Sequence, residues 1–367
     1  MTHHIKEFTV HDYKGIHELT LKDIAPINIL TGDNNSGKTS MLELLATIPQ
    51  PQQLRNWLPA TRMISSRYAG YYRYSTFFES FLNLFPCNQD AKSICYEWFL
   101  YTGEKHSAKI TGVVFQDQIP ESELRRINGY TNNRRQISLF EDFIIVQGLK
   151  LLLSKDEEQD IEETIWDRQG RIPPSSRTSQ RNPVVLITPV EHEGYIRFLN
   201  DVLQHPQTYN LLIEMLKFFD KDIFGLNAVE NNETHTVSYL IQSSRHDQSL
   251  SLSSYGDGMK KAVLLLSALL QAKNGILLID EFETGIHTSC MDQVFTLLLE
   301  NALKLNIQVF LTSHSKEAIS KVLRLSPSIQ EKIALYTLYK YEGKNYVRRV
   351  GCQEAIKMQD ELGMELR

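Results

Sequence analysis

The sequence predicts an α/β fold, and three observations support that prediction. From Met259 onward, apolar runs alternate with helical periodicity, which is typical of a parallel sheet covered by helices. A strand-like run at residues 27–31 leads through a glycine-containing loop into the helical stretch 39–47. A second apolar run, residues 276–279, ends in Asp280 and Glu281, as buried strands do at a ligand crevice.

Length and composition agree with an ordinary globular protein. The chain has 367 residues, of which 42% are hydrophobic and 23% charged. That is enough for a sizeable core in one or two domains, and it excludes disordered, collagen-like and miniprotein classes. A net charge of -5 gives no general attraction to nucleic acid, so any such binding must come from local patches.

The cysteines and the apolar stretches indicate the compartment. Four scattered cysteines form no C-x-x-C pair, which predicts neither a zinc site nor a disulfide framework and fits a reducing cytoplasm. The longest apolar stretch, around residues 262–272, is too short to cross a bilayer, and no leader-like segment opens the chain. We therefore expect a cytoplasmic protein with no membrane association.

Four parts of the chain follow from the pattern of elements. Residues 1–50 predict three strands, a loop and a helix, and residues 51–183 predict an inserted α+β lobe with arginine-rich segments. Residues 184–340 return to regular helices and strands, which would join the first part in a mixed sheet. Residues 341–367 predict a hairpin and helix at the end of the chain.

A phosphate-binding loop is predicted between the third strand and the first helix. Residues 32–39, GDNNSGKT, satisfy the pattern G-x-x-x-x-G-K-[ST] in the strand–loop–helix context that the pattern requires. The glycines let successive backbone N–H groups face a phosphate, and the helix adds its positive end. Lys38 would reach the β and γ phosphates, and Thr39 would bind Mg²⁺. The alternative is a glycine-rich turn without nucleotide. The residues of this predicted site are Gly32, Asn34, Asn35, Ser36, Gly37, Lys38 and Thr39.

Two later strand ends carry further candidate residues. Asp280 would hold Mg²⁺, and Glu281 could polarise the water that attacks the γ phosphate. His314 follows the apolar run 307–312 and could donate a hydrogen bond to the γ phosphate. Taken alone, the carboxylate pair reads as a strand end entering a turn and the histidine as a solvated loop residue. Their order after the phosphate loop favours the functional interpretation.

A second anion-binding helix start is predicted in the segment SSYGDGMKK. Ser254, Gly256 and Gly258 precede or open a long apolar helix, and serine with glycines at a helix N-terminus can bind phosphate. The alternative is a simple helix cap.

Taken together, these segments carry a family resemblance. GDNNSGKT, SSYGDGMKK, ILLIDE, FETGIH and TSHS, in that order, resemble an ABC-type ATPase head, a P-loop NTPase. The segments INILTGDNNSGKTS and LIDEFETGIHTS are similar to those of the prokaryotic ATPases of the overcoming-lysogenization-defect (OLD) group, which includes the ATPase subunit of the Septu defence system.

Several expectations follow from this resemblance. It implies that ATP and Mg²⁺ bind at the phosphate loop and that ATP joins two heads into a dimer. Ser254, Gly256 and Gly258 would complete the ATP site of the second subunit, and the turn with Glu283, Gly285 and His287 would lie at the dimer interface. OLD nucleases continue into a Toprim domain, for which the residues after Tyr336 are too few. The toxic activity is therefore expected on a separate effector, such as a nuclease.

Arginine clusters are the candidate contacts for DNA. Arginines interleaved with aromatic residues suit phosphate contacts and base stacking. Surface arginines lying over an aromatic core, or contacting a partner protein, explain the same pattern at least as well. The clusters are Arg55, Arg62, Arg67 and Arg73 with Trp57, Tyr68, Tyr71, Tyr72 and Tyr74; Arg125, Arg126, Arg134 and Arg135; and Arg168, Arg171, Arg177 and Arg181.

Two functions remain open on the sequence. The first is a dimerising ATPase that acts as sensor or scaffold for an effector in an anti-phage defence system. The second is a RecF-like DNA-repair ATPase whose dimer clamps DNA. The spaced segment SSYGDG and the turn FETGIH favour the first. The N-terminal strand pattern and the spaced segment disfavour a third class, a transporter's nucleotide-binding subunit.

Overall fold

The computed structural model describes residues 4–62, 76–87, 92–128, 142–169, 183–189, 198–231 and 236–362. The strands are β1 (Ile5–Tyr13), β2 (Ile16–Leu21), β3 (Ile27–Gly32), β4 (Lys92–Leu100), β5 (Lys105–Pro120), β6 (Phe143–Lys155), β7 (Ile161–Trp166), β8 (Val184–Ile187), β9 (Ile223–Asn231), β10 (Thr236–Ser243), β11 (Leu250–Ser251), β12 (Ile276–Ile279), β13 (Gln308–Thr312), β14 (Ile333–Tyr341) and β15 (Lys344–Gly351). The helices are α1 (Lys38–Thr47), α2 (Leu58–Thr61), α3 (Phe77–Leu82), α4 (Glu121–Ile127), α5 (Leu199–Gln204), α6 (Pro206–Leu216), α7 (Asp257–Gln271), α8 (Thr288–Lys304), α9 (Lys316–Leu323), α10 (Pro327–Gln330) and α11 (Cys352–Leu362).

A mixed six-stranded sheet organises the molecule. Its order is β15-β14-β3-β13-β12-β8, and every pair is parallel except β14 with β15. All residues of β3, β12 and β13 are buried, as expected for parallel strands covered on both faces. The predicted α/β class with a mixed sheet is confirmed.

An antiparallel sheet joins the start of the chain to the stretch predicted as an inserted lobe. Its order is β2-β1-β4-β5-β6-β7, and β1 pairs with both β2 and β4. The strands of residues 92–166 therefore extend a sheet that the first two strands begin. A small third sheet has the order β11-β10-β9.

Two hydrophobic clusters cover the two faces of the central sheet. Leu277 and Ile279 of β12 point into the cluster that α7, α8 and α9 close. Leu278, between them, points into the cluster formed by α1 and the antiparallel sheet. This alternation along one strand fixes α1 on one face and α7 on the other.

Several elements extend beyond the sequence expectations. The short runs expected at 109–115 and 143–146 are parts of the longer strands β5 and β6, which pair from Ala108 with Lys155 to Pro120 with Phe143. Long-range pairing of this kind leaves only a weak local signal. The acidic stretch 156–163 is largely exposed, as expected for a solvated face. The predicted hairpin and helix are present as β14, β15 and α11, and the hairpin begins at Ile333.

Among the described residues, no helix is long and apolar enough to cross a membrane.

Candidate functional site

The loop between β3 and α1 has the backbone geometry of an anion cradle. Gly32 and Gly37 have φ values of 132° and 106°, which L residues rarely adopt, and Asn35 has a φ of 63°. A Cβ at position 32 would lie 2.0 Å from the carbonyl oxygen of Leu338. Position 32 therefore requires glycine for both its conformation and its close packing, and position 37 requires glycine for its conformation.

Lys38 folds back over this loop. Its Nζ donates to the carbonyl oxygens of Gly32 at 2.7 Å and Asp33 at 2.8 Å, and the residue is only 5% exposed. Burial lowers the pKa of Lys38, while the charges of Asp280 and Asp33 oppose that shift. The ammonium is thus held by carbonyls that a phosphate oxygen would replace.

Thr39 and Asp280 are brought together although 241 positions separate them. Thr39 Oγ1 donates to the Asp280 carboxylate at 3.0 Å, and Thr312 Oγ1 donates to Asp280 Oδ1 at 2.5 Å. Burial raises the pKa of Asp280, and the two hydroxyl donors counteract the shift. A hydroxyl beside a buried carboxylate is the hard oxygen donor set that Mg²⁺ prefers, so these residues fit that ion.

Glu281 occupies a strained backbone position at the end of β12. Its φ is 49°, in the left-handed region, and its N–H donates to Thr312 Oγ1 at 2.8 Å. Thr284 Oγ1 donates to Glu281 Oε2 at 3.5 Å, at the limit of a hydrogen bond. Thr312 Oγ1 therefore contacts both neighbouring residues, because it donates to the Asp280 carboxylate and accepts from the Glu281 backbone N–H.

A cavity of about 560 Å³ opens over the phosphate loop, within the usual size range of small-ligand sites. Asn34, Asn35, Gly37, Lys38 and Thr39 line it. His314, which is exposed, lies on the same cavity, although 275 positions separate it from Thr39 in the chain.

Two further cations on this cavity were not assigned to it from the sequence. Arg62 was placed in an arginine cluster and Lys340 was not singled out, yet both line the cavity. Arg62 Nε donates to Glu43 Oε1 at 2.9 Å, and Glu43 is only 3% exposed. Glu43 Oε2 also accepts from Lys14 Nζ at 2.6 Å and from the Tyr13 hydroxyl at 3.0 Å.

The buried Glu43 group is the reason that Arg62 lies where it does. Arg62 caps α2 with a φ of 56°, and the carboxylate on α1 holds its guanidinium while 61% of that side chain stays exposed. No sequence motif joins positions 43 and 62. Only the packing of α2 on α1 could have revealed the pair.

The segment that opens α7 lies on a different cavity. This larger cavity, about 1100 Å³, is lined by Gly258, Gly285 and His287 among others, and by none of the phosphate-loop residues. Ser254 and Gly256 are exposed, and Gly256 has a φ of 86°. Within one chain, then, the α7 segment does not join the phosphate loop.

Glu283 links the two strand ends that carry the candidate residues. Its Oε1 accepts from Ser313 Oγ at 2.8 Å and from the backbone N–H groups of His314 and Ser315 at 3.3 Å each. Of the three residues predicted in this turn, Glu283 is half-buried, and Gly285 and His287 are exposed.

Besides Arg62, three described members of the arginine clusters have ordinary structural settings, namely Trp57, Arg125 and Arg126. Trp57 is fully buried and donates to the Pro51 carbonyl, so it is not available for base stacking. Arg125 pairs with Glu121 and Arg126 with Glu123 on α4. The members outside the described residues are Arg67, Arg73, Tyr68, Tyr71, Tyr72, Tyr74, Arg134, Arg135, Arg171, Arg177 and Arg181.

Comparisons with solved structures find SMC head domains. An SMC head bound to the C-terminal winged-helix domain of ScpA is 9% identical with a TM-score of 0.46, and the match covers 96% of this chain and 99% of that one. The SMC head domain from Thermotoga maritima is 12% identical with a TM-score of 0.42, and the match covers 94% and 98% of the two chains.

Sequence comparisons find two relatives. A Helicobacter pylori protein named ATP/GTP phosphatase is 22% identical over 349 residues, which cover 86% of each chain. An uncharacterised protein of Methanocaldococcus jannaschii is 32% identical over 114 residues, which cover 30% of this chain and 98% of the other.

A family model matches residues 129–320, more than half of the chain, including the α7 segment, β12 and His314. The family is described as an AAA domain, putative AbiEii toxin, Type IV TA system. The phosphate loop predicted at residues 32–39 precedes the matched region. The chain thus belongs to this AAA domain family, and it is an ATPase.

Proposed function

We propose that the protein is an ABC-type ATPase of the OLD-like group, that two copies close around ATP, and that the ATP state regulates a separate effector in a prokaryotic anti-phage defence system. One observation carries the proposal. Five phosphate-loop residues line one cavity together with His314, whereas Gly258 and the turn at Gly285 and His287 line another. A second copy is the simplest source of the missing half of each site.

In this proposal the chain's own residues divide the work on ATP. Lys38 leaves the carbonyls of Gly32 and Asp33 for the β and γ phosphates, and backbone N–H groups of the loop donate to the same phosphates. His314 donates a hydrogen bond to the γ phosphate. Glu281 orients the attacking water and accepts its proton.

Thr39 and Asp280 are the residues that would hold Mg²⁺. When bound, this ion supplies neutralisation of the charge on the β and γ oxygens during phosphoryl transfer. Thr312 keeps the Asp280 carboxylate oriented. Arg62, anchored on Glu43, adds a further positive charge at the mouth of the cavity.

The comparisons support parts of this proposal. The name ATP/GTP phosphatase of the Helicobacter pylori relative agrees with nucleotide hydrolysis. The family description names a toxin of a Type IV TA system, which fits a role in a defence system with a partner protein. The order of SSYGDG, LIDE, FETGIH and TSHS supports the ABC type and the OLD-like group.

The decisive experiment compares the wild type with Glu281→Gln. The variant should bind ATP with native affinity, hydrolyse it about 100-fold or more slowly, and accumulate as an ATP-bound dimer in light scattering after size exclusion. Glu317→Gln, an exposed carboxylate on α9, is the matched control. A variant with native turnover, or one that stays monomeric with saturating ATP and Mg²⁺, would contradict the proposal.

The same ATP-turnover assay also tests the RecF-like alternative. Turnover is measured with and without duplex DNA at fixed salt, because nucleic-acid affinity depends on salt. We expect a slow rate that DNA leaves unchanged. Clear stimulation by DNA would replace the effector-regulating role with direct DNA handling.

A further inference from the structure

One carboxylate oxygen holds the loop between β13 and α9. Glu283 Oε1 accepts the Ser313 hydroxyl at 2.8 Å and the backbone N–H groups of His314 and Ser315 at 3.3 Å each. These three donors are consecutive in the chain, so the carboxylate is bound by the whole loop. Glu283 itself lies three residues after Asp280, in the turn that follows β12.

His314 depends on this contact because its own side chain is not fixed by hydrogen bonds among the described residues. Ser313, the residue before it, donates its backbone N–H to the Leu30 carbonyl oxygen at a long distance of 3.4 Å. Ser315 follows it as the N-cap of α9, where its Oγ accepts from Ala318 N at 3.2 Å. Between these two anchors, Glu283 is the acceptor for the His314 backbone.

The second oxygen of the Glu283 carboxylate is not used by this loop. This oxygen, Oε2, is buried and has no hydrogen-bond partner among the described residues. Lys261, on α7, is 3% exposed; burial lowers its pKa to about 7, and the charge of Glu283 acts in the opposite direction. Lys261 lines the same cavity as Thr284 and Gly285, the two residues after Glu283.

We propose that Glu283 is a positioning residue that sets His314 beside the phosphate site and ties its loop to the turn after Glu281. This role operates within one chain and is distinct from a contact across a dimer. It rests on the proposed function, in which His314 touches the γ phosphate. Any displacement of the turn is then passed to His314 through one carboxylate.

The first test separates nucleotide binding from turnover. In Glu283→Ala the Kd for ATP should stay within about twofold of the wild type, while kcat falls about tenfold or more, because a displacement of about 1 Å can cost a catalytic group most of its effect. Glu283→Gln keeps an oxygen acceptor and should recover part of kcat. Glu317→Gln, which changes a carboxylate three residues from His314, should match the wild type. Equal losses in Glu283→Gln and Glu317→Gln would overturn the proposal.

A double-mutant cycle identifies the residue through which Glu283 acts. Once His314→Ala has removed the imidazole, adding Glu283→Ala should change kcat less than twofold. If the two substitutions lower kcat by independent factors that multiply, the role of Glu283 is overturned and the His314 assignment stands. Native turnover in His314→Ala would overturn both the His314 assignment and the role of Glu283.

Hydrogen exchange provides a readout that does not depend on activity. In Glu283→Gln, whose shape is nearly native, the amides of His314 and Ser315 should exchange faster than in the wild type, and those of α8 should be unchanged. Unchanged exchange in the loop peptide would show that Glu283 does not hold it and would overturn the proposal.

Discussion

The phosphate loop and the start of α7 are both glycine-containing helix entries, but the chain treats them differently. At the phosphate loop, Lys38 donates to a backbone carbonyl of the same loop, and Thr39 donates to Asp280, which is 241 positions away in the chain. At the start of α7, Ser254 and Gly256 are exposed. A Cβ added at Gly256 would meet no atom of the described residues within 4 Å. One entry is organised by its own chain, and the other presents an open surface.

This difference indicates where substitutions act. A change at the phosphate loop should disturb contacts that exist in the monomer and weaken ATP binding. A change at the start of α7 should leave ATP binding native and lower turnover only when a second copy meets that surface. The following predictions test that contrast.

The largest effect is expected at Lys38. Lys38→Ala removes the ammonium group that donates to the Gly32 and Asp33 carbonyls. It should weaken ATP binding about 100-fold, since a hydrogen bond to a charged group contributes about 1.5–3 kcal/mol. Isothermal titration measures the Kd, with the exposed Lys332→Ala as control. Native affinity in Lys38→Ala would contradict the phosphate-loop assignment.

A smaller effect on turnover is expected at Thr312. Thr312→Val keeps the shape but leaves Asp280 Oδ1 and the Glu281 N–H each without one partner. We expect kcat to fall about tenfold and the free energy of unfolding to fall by about 1–3 kcal/mol. Steady-state turnover and urea unfolding measure the two quantities, and Thr296→Val on α8 is the control. Native values of both would remove Thr312 from the site.

Gly258→Ala tests the open entry. A Cβ there meets only Cys290 Sγ at 3.8 Å, an ordinary contact, and alanine favours a helix by about 0.5–1 kcal/mol over glycine. The monomer should therefore gain stability and keep native ATP affinity, while turnover falls severalfold because the new methyl group stands between two copies. Thermal unfolding and turnover at several protein concentrations check this. Native turnover in a stabilised variant would mean that this surface takes no part in the site.

The smallest effect is expected at Arg62. Arg62→Ala removes an exposed cation from the mouth of the cavity but leaves Lys14 to pair with the buried Glu43. Because solvent screens such a charge, we expect ATP affinity to fall only about threefold to fivefold, and the loss to shrink as salt is raised. Titrations at two ionic strengths measure it, with Arg55→Ala as control. A salt-independent loss would indicate a structural role instead.

Local sequence was enough for the parts of the site that lie close together in the chain. The phosphate loop and the strand ending at Asp280 could be predicted because each needs a few neighbouring residue types for its geometry. Thr312, Arg62 and Lys340 could not, since their roles depend on which strands and helices meet, and that is set by long-range pairing. The same reason explains why the full lengths of β5 and β6 were missed while the alternation of helices and strands after Met259 was found.

The left-handed backbone at Glu281 has a consequence for how such a chain would change under selection. A non-glycine residue at φ 49° costs about 1–2 kcal/mol, which glycine at that position would largely relieve. A screen for heat resistance alone would therefore favour the loss of the carboxylate that the proposed chemistry needs. The selected variant would be more stable to heat and would be expected to bind ATP without hydrolysing it.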